Sequence, residues 1–319
     1  MQTYYFSGSL TDEMHDMLLN TPNFQPIDIL ITQLDRHAIT KAIKWRHEGF
    51  CKTLFIDSGA FSIHTGKANT TVDEYLDYLN SIDGDFDVCA QLDTIPGHFG
   101  QPKSEEDYIE SARKSWENFL YMRTKMKSPD KLMPVQHFGE SFDHLKMMLE
   151  WRDESGQPLH YLGISPANDA SQSEKNIYLR EVNEVIKASS NPNVKTHLYG
   201  MTSIDALSKY DCYSADSISH RLIAGYCKIL VPEFGVISIS KRTRTSKTKS
   251  NLSFIETCDA YNLKKLNDYI ESLGFTLEQA QESSSCRVVI TMRAIQEMTS
   301  GKYALSEKNL VKPKKLFNF

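Results

Sequence analysis

Short runs of apolar and β-branched residues alternate along this chain with longer segments in which apolar residues recur every three or four positions. The short runs are typical of buried strands and the longer segments of amphipathic helices. Because a helix separates most of the strands, we expect them to pair in parallel. The predicted strands are a short one within residues 1–9, Ile27–Thr32, Thr53–Asp57, Phe86–Leu92, Lys131–Gln136, His160–Ile164, Lys195–Tyr199, Cys212–Asp216, and a last one formed by Ile229–Val231 and Val236–Ile239.

Eight strands, counted from Ile27 onwards, suggest a closed barrel. The predicted fold class is therefore α/β, a (β/α)8 TIM-type barrel over residues 1–250. The alternative is an open, doubly wound sheet, but the chain has neither the glycine-rich dinucleotide fingerprint nor a phosphate-binding loop. Residues 251–319 have helical patterns and end in a basic tail, and we predict a helical extension packed on the barrel.

The composition is that of an ordinary globular protein. The formal net charge is −5, so any nucleic-acid contact must come from a local basic patch. The six cysteines stand singly, without the close spacing of a zinc ribbon. We see no signal peptide and no run long enough to span a membrane. We therefore expect a cytoplasmic protein with no membrane partner, no resident metal and no cofactor.

One basic patch does exist, between residues 241 and 249, where five of nine residues are cationic. A charge run of this kind is often a solvated, mobile loop. It can also bind the phosphate backbone of a nucleic acid, and composition alone leaves both interpretations open. The candidate backbone contacts are Lys241, Arg242, Arg244 and Lys247.

Polar residues stand at the carboxyl ends of several predicted strands, which meet at one mouth of a barrel. Asp57 follows an apolar run and precedes a Ser-Gly-Ala turn and the aromatic Phe61. An aspartate in such a position is often only a turn former or a helix cap, but joint placement at successive strand ends favours a common site. The other candidates are Asp93, Gln136, Gly163, Tyr199 with Gly200, and Asp216, while His64, His137 and His220 lie close enough to strand ends to touch a substrate.

A pocket built from these residues suits a flat, polar heterocycle. Carboxylate and carboxamide groups can pair with the ring edge, which the backbone of Gly163 can also approach. Phe61 and Tyr199 can cover the two faces. A remaining carboxylate can attack a sugar carbon or stabilise an oxocarbenium-like centre. The pattern suggests cleavage or exchange of the glycosidic bond to a purine-like base.

The segment Ile56–Ser62 resembles the Asp-Ser-Gly-Gly-aromatic motif of the tRNA-guanine transglycosylases. These are (β/α)8-barrel pentosyltransferases that exchange a guanine in RNA for a 7-deazaguanine base. The resemblance covers residues 54–226 and implies an enzyme of the same reaction class. The later motifs, which follow in the same order as in that family, are Ala90–Asp93, Pro134–Gln136, Tyr161–Ile164, Leu198–Gly200 and Ser214–Asp216.

This resemblance implies a role for each matching residue. Asp216 would be the nucleophile that attacks the sugar C1′, and Asp57 the general acid and base for the leaving and entering bases. The target base must leave its stack to reach such a pocket. The remaining residues would bind the base: Asp93 at its amino edge, Gln136 and Gly163 at its carbonyl edge, Phe61 and Tyr199 on its faces, and Ser58 and Gly200 beside them.

The chain departs from the tRNA enzymes in two respects. It has no Cys-x-Cys-x-x-Cys…His zinc module after Asp216, and Ala60 replaces the second glycine of the opening motif. The residues after Asp216 look more like those of the phage and bacterial DNA-guanine transglycosylases. The expected partners are therefore DNA and a free 7-deazaguanine base such as preQ0, with Arg221 and the basic patch as backbone contacts. A phage origin would place the protein in the host cytoplasm.

Three other hypotheses stay open. The first is the same exchange on tRNA. The second is a non-catalytic nucleic-acid-binding subunit, although retention of Asp57, Asp93 and Asp216 together speaks against it. The third is an unrelated barrel hydrolase of small nucleosides, which would not need a basic loop. A homodimer or a partner protein is compatible with all of them.

Overall fold

The fold is that of a computed structural model, which describes residues 3–166, 170–200, 210, 212–240 and 253–300. The chain divides into two compact units. The larger comprises Gln2–Ser9 and Gln25–Ile218, and the smaller comprises Leu10–Phe24 and the described chain from Ser219 onwards. The predicted boundary at residue 250 lies outside the described residues, as do the candidate backbone contacts Lys241, Arg242, Arg244 and Lys247.

The larger unit has an α/β fold in which a nine-stranded parallel sheet is nearly closed into a barrel. Its described strands are β1 (Thr3–Ser7), β2 (Ile27–Thr32), β3 (Cys51–Asp57), β4 (Val88–Ala90), β5 (Leu132–Met133), β6 (Val135–His137), β7 (Tyr161–Ser165), β8 (Lys195–Leu198) and β9 (Ser214–Ser217). Their spatial order is β5-β4-β3-β2-β1-β9-β8-β7-β6. The near closure favours the predicted barrel over an open, doubly wound sheet.

The two strands at the ends of this order are separated in the chain only by Pro134, which has no backbone N–H to donate. Strand β5 pairs with β4, and β6 pairs with β7. The predicted strand Lys131–Gln136 is thus interrupted, and pairing passes from one neighbour to the other at the proline.

Helices connect the strands, and their ends follow the capping signals of the sequence. Thr71 and Ser104 each open a helix with a capping box. Arg36–His47 ends just before Gly49, whose φ of +81° favours glycine. The described helices of this unit are Arg36–His47, Ala60–His64, Val72–Ser81, Glu105–Lys125, Phe142–Glu150 and Gln172–Ala188.

Every second residue of each strand faces the inside of the barrel. The inward series begins with a buried layer that is mostly aromatic and apolar, formed by Tyr5, Leu30, Phe55, Ala90, Met133 and Tyr161. Asp57 lies two positions beyond Phe55 and continues the series at the carboxyl end of β3. The apolar layer therefore lies below polar groups at the carboxyl ends of the strands.

The smaller unit contains β10 (Lys228–Val231) and β11 (Gly235–Ser238), which pair with each other as an antiparallel hairpin. The prediction that these segments form the eighth barrel strand is wrong, because a short turn at Gly235 folds one apolar run back on the other. Strand β1 occupies a barrel position instead. The described helices are Asp12–Leu19, Ser219–Gly225, Phe254–Thr257, Ala260–Ser272, Leu277–Glu282 and Ser284–Thr299.

The helical character predicted after residue 251 is confirmed for the part of that segment that the structure describes. Within the described ranges, no helix has both the length and the apolar character needed to cross a membrane.

Candidate functional site

A cavity of about 780 Å³ lies at the carboxyl ends of the barrel strands, within the size range of small-molecule sites. Its wall includes the two carboxylates that the sequence suggests for catalysis, Asp57 and Asp216. Phe61, Tyr199 and Gly200 also line it. Residues from three separate segments of the chain are therefore brought to one cavity.

Asp57 is the last residue of β3, and its Oδ2 accepts a hydrogen bond from the Gly59 backbone N–H at 3.0 Å. Gly59 has a φ of +79°, and a side chain there would come within 2.6 Å of Leu34 Cδ1, so only glycine fits this turn. Burial, and then the charge of Asp93, raise the pKa of Asp57 to about 7. Asp57 can therefore both donate and accept a proton near neutral pH.

Asp216 lies in β9, and groups from other parts of the chain fix its carboxylate. Oδ1 accepts the backbone N–H of Gly200 at 2.9 Å, and Oδ2 accepts the hydroxyl of Ser7 at the end of β1. His197 Nε2 lies 3.3 Å from Oδ1. These contacts leave the carboxylate only about a tenth exposed, in one orientation.

Asp93 lies behind the cavity wall, where other side chains contact both of its carboxylate oxygens. Ser58 donates its hydroxyl to Oδ1 at 2.7 Å, and His137 Nε2 lies 3.0 Å from Oδ2. The Ser58 hydroxyl also accepts the backbone N–H of Ala60. Neither Asp93 nor Ser58 lines the cavity. The structure therefore does not bring these two predicted base-binding residues to the cavity surface.

His137 lines the cavity at the position that the sequence analysis gave to Gln136. In β6 the residues Val135 and His137 face inwards, in register with Gly163 and Ser165 of β7. Gln136 therefore points to the opposite face of the sheet, where it is fully buried and its Nε2 lies 3.5 Å from a backbone carbonyl. A correct choice between neighbours required the register, which the sequence pattern did not provide.

His137 can carry positive charge at this wall. Burial by itself would lower the pKa of its imidazole, but the carboxylates of Asp93 and Glu140 outweigh burial and raise it. Glu140 accepts the backbone N–H of His137 at 2.8 Å and the hydroxyl of Ser111 at 3.0 Å. A cationic donor at the cavity wall can bind an electron-rich edge of a ligand.

Gly163 supports the cavity from behind and does not line it. A Cβ at this position would approach the Tyr199 ring and the Met133 methyl group to 2.9 Å each. Tyr199 stands edge-on to His197, with ring centroids 4.6 Å apart. Its buried hydroxyl has no hydrogen-bond partner among the described residues. Tyr199 therefore offers a polar group as well as an aromatic surface.

The mouth of the cavity carries aromatic and basic side chains. Phe61 and Phe99 are 50% and 63% exposed, and their rings meet edge to face at 6.4 Å. His98 and Lys103 come from the same loop as Phe99. Burial, and then the positive charge of Lys103, lower the pKa of the neighbouring His64. This loop was not predicted as part of the site, because its only sequence signal is an aromatic residue among glycines and prolines.

Arg221 lies in the helix Ser219–Gly225 of the smaller unit and is partly buried. Within the described ranges, no group of three or more His, Cys, Asp or Glu side chains is placed to hold a metal ion. A scan against protein-family models and a search of curated proteins each returned no match to this chain.

Proposed function

We propose that this protein is a guanine transglycosylase that acts on nucleic acid, with DNA as the first candidate substrate. The observation that carries the proposal is a pair of carboxylates in different environments on one cavity wall. Asp57 exchanges protons near neutral pH, whereas Asp216 is held by fixed donors. Such a pair suits an acid/base and a nucleophile. We also infer that β5 and β6 count as one interrupted strand of a (β/α)8 TIM-type barrel.

The reaction is a double displacement at the sugar C1′. One oxygen of Asp216 attacks C1′, and the C1′–N9 bond to guanine breaks while N9 takes the proton of Asp57. In the second half, N9 of the entering base attacks C1′ and gives its proton to Asp57. The C1′–O ester bond breaks, and its electron pair returns to Asp216. Atoms and charge balance without a redox cofactor.

The cavity wall supports a revised assignment of base recognition. His137 replaces Gln136 as the donor towards a carbonyl or ring-nitrogen acceptor of the base. Asp93 acts on the base through His137, which it holds at 3.0 Å. The Tyr199 hydroxyl, which is buried without a hydrogen-bond partner among the described residues, is a polar group that a bound base can satisfy. Burying it unpaired is costly, so its pairing favours ligand binding.

The cavity mouth supports a polynucleotide substrate rather than a free nucleoside. Exposed Phe61 and Phe99 suit stacking with a neighbouring base. Lys103 and His98, on the same loop as Phe99, can contact the phosphates beside an extruded nucleotide. DNA and tRNA both have phosphates and stacked bases, so the choice between these two substrates rests on the sequence resemblance alone.

The test is incorporation of labelled guanine into duplex DNA and tRNA in parallel, with trapping of a covalent protein–nucleic-acid adduct. Wild-type protein should label DNA, whereas Asp216→Asn should lose at least about 10³-fold in rate and form no adduct. Asp77→Asn, on an exposed helical face, is the matched control. Label in tRNA alone would reassign the substrate. Binding of nucleic acid without label or adduct would show a binding subunit and refute the proposal.

A further inference from the structure

A line of polar side chains crosses the interior of the barrel and ends at Asp216. The Tyr161 hydroxyl contacts the Ser214 hydroxyl, which lies 2.7 Å from His197 Nδ1. The other ring nitrogen, Nε2, faces Asp216 Oδ1 at 3.3 Å. Each of these residues is buried, and His197 and Ser214 have no exposed surface. The base-exchange scheme above uses Asp216 but gives no role to Tyr161, Ser214 or His197.

The surroundings of His197 hold its ring in place. It packs against the rings of Tyr5, Phe55, Tyr161 and Tyr199, with centroids 4.6 to 6.5 Å away. Alternation along β8 places His197 on the inner face. A ring enclosed in this way keeps its orientation towards Asp216 during catalysis.

The contacts determine which nitrogen carries the proton. An unprotonated Nε2 would place its lone pair beside the carboxylate of Asp216, 3.3 Å away, which is repulsive. The ring must therefore carry a proton on Nε2, and in its neutral form Nδ1 accepts from Ser214. Ser214 then accepts from the Tyr161 hydroxyl. The line thus has one consistent direction, from Tyr161 through Ser214 and His197 to Asp216.

The contact between His197 and Asp216 is incomplete in this state. Nε2 is fully buried and 3.3 Å from Oδ1, yet it does not form an aligned hydrogen bond. The aligned bond to Oδ1 comes from Gly200. The carboxylate nevertheless carries its full negative charge in this state and loses it in the covalent ester, so a buried N–H beside Oδ1 stabilises the free carboxylate relative to the ester.

We propose that His197 is a donor to the reacting carboxylate and that it stabilises the negative charge returning to Asp216 when the covalent intermediate breaks down. Ser214 and Tyr161 are positioning residues that fix the ring proton. This inference rests on the proposed transglycosylase function. When the entering base attacks C1′, the ester electron pair moves to the carboxylate, and Nε2–H approaches Oδ1. Guanine departure and guanine attack pass through the same transition state, so loss of a donor that stabilises the free carboxylate relative to the ester slows adduct release and leaves adduct formation little changed.

The experiment follows the adduct with a DNA oligonucleotide under rapid quenching, first without and then with added guanine. His197→Phe keeps the packing but removes the donor, and Tyr161→Phe removes only the anchor of the line. We expect adduct release to slow by about 10²-fold in His197→Phe, following the loss of a single transition-state donor. Adduct formation should change by no more than a few-fold, so the adduct accumulates. Tyr161→Phe should show the same imbalance to a smaller degree.

Equal slowing of formation and release, or no change in either, would overturn the inference while leaving the transglycosylase function intact. Absence of adduct and of exchange in the wild-type protein would refute the function itself. The ¹⁵N chemical shifts of the His197 ring give a readout that does not need activity. A proton on Nε2 supports the inference, and a neutral ring with its proton on Nδ1 overturns it.

Discussion

Replacement of Asp57 by asparagine should make the protein more stable while it abolishes the proposed base exchange. A carboxyl group whose pKa is raised on folding binds protons more tightly in the folded than in the unfolded state. Stability is therefore lost as pH rises from the unfolded pKa of 3.8 towards the folded pKa of about 7. At ~1.36 kcal/mol per pH unit, the full cost is about 4 kcal/mol above neutral pH. Asparagine cannot ionise and avoids this cost.

The measurement is urea unfolding of wild-type protein and Asp57→Asn at two pH values. The variant should gain about 4 kcal/mol at about pH 8 and only about 1.5 kcal/mol at about pH 5, where the folded wild type is mostly protonated. Asp77→Asn, on the exposed face of Val72–Ser81, is the control for a generic effect of removing a carboxylate. Rates of guanine exchange are measured on the same preparations.

A gain that is equal at both pH values would refute the reasoning, because a pKa effect must vanish at low pH. A loss of stability at about pH 8 would also refute it. That result would mean that the ionised carboxylate contributes more through its bond to Gly59 N–H than burial beside Asp93 costs.

Three further predictions concern the cavity and its mouth. Gly163→Ala should cost about 1–3 kcal/mol in unfolding free energy, since the new methyl group meets a ring and a methionine at 2.9 Å, whereas Gly225→Ala, in open space, should cost little. Glu140→Gln should lower the pKa of His137, measured by NMR titration of its ring, and an unchanged pKa would contradict the assigned charge effect. Lys103→Gln should weaken oligonucleotide binding and reduce its salt dependence by the equivalent of about one phosphate contact. Free guanine should bind as before, and an unchanged salt slope would exclude the proposed phosphate contact.

Much of the fold follows from local patterns that tertiary structure does not overrule. Capping boxes at Thr71 and Ser104 and a glycine after Arg36–His47 stand at observed helix ends, so residue type alone indicates these boundaries. The prediction of the eighth barrel strand was wrong because an apolar run does not indicate which strand it will pair with. Ile229–Val231 is long enough for a barrel strand, but the turn beside Gly235 pairs it with the next run instead.

The sequence could place a residue in the site where its position at a strand end is enough to bring it to the cavity. It could not do so where the direction of the side chain depends on strand register. Asp57 and Asp216 reach the cavity because both continue the inward series at carboxyl ends. Gln136 and His137 differ by one position and face opposite sides, which only the pairing with β7 resolves. The sequence could have identified His197 as a candidate, because it shares a strand face with Tyr199, two residues further on.

The hydrogen bond from Ser7 to Asp216 joins residues 209 positions apart. At synthesis rates of roughly 5–20 residues per second, about 10 to 40 s separate the appearance of the donor from that of the acceptor. A nascent chain therefore carries its first barrel strand long before Asp216 is synthesised. On the proposed function, a fragment released before residue 216 would therefore lack the nucleophile.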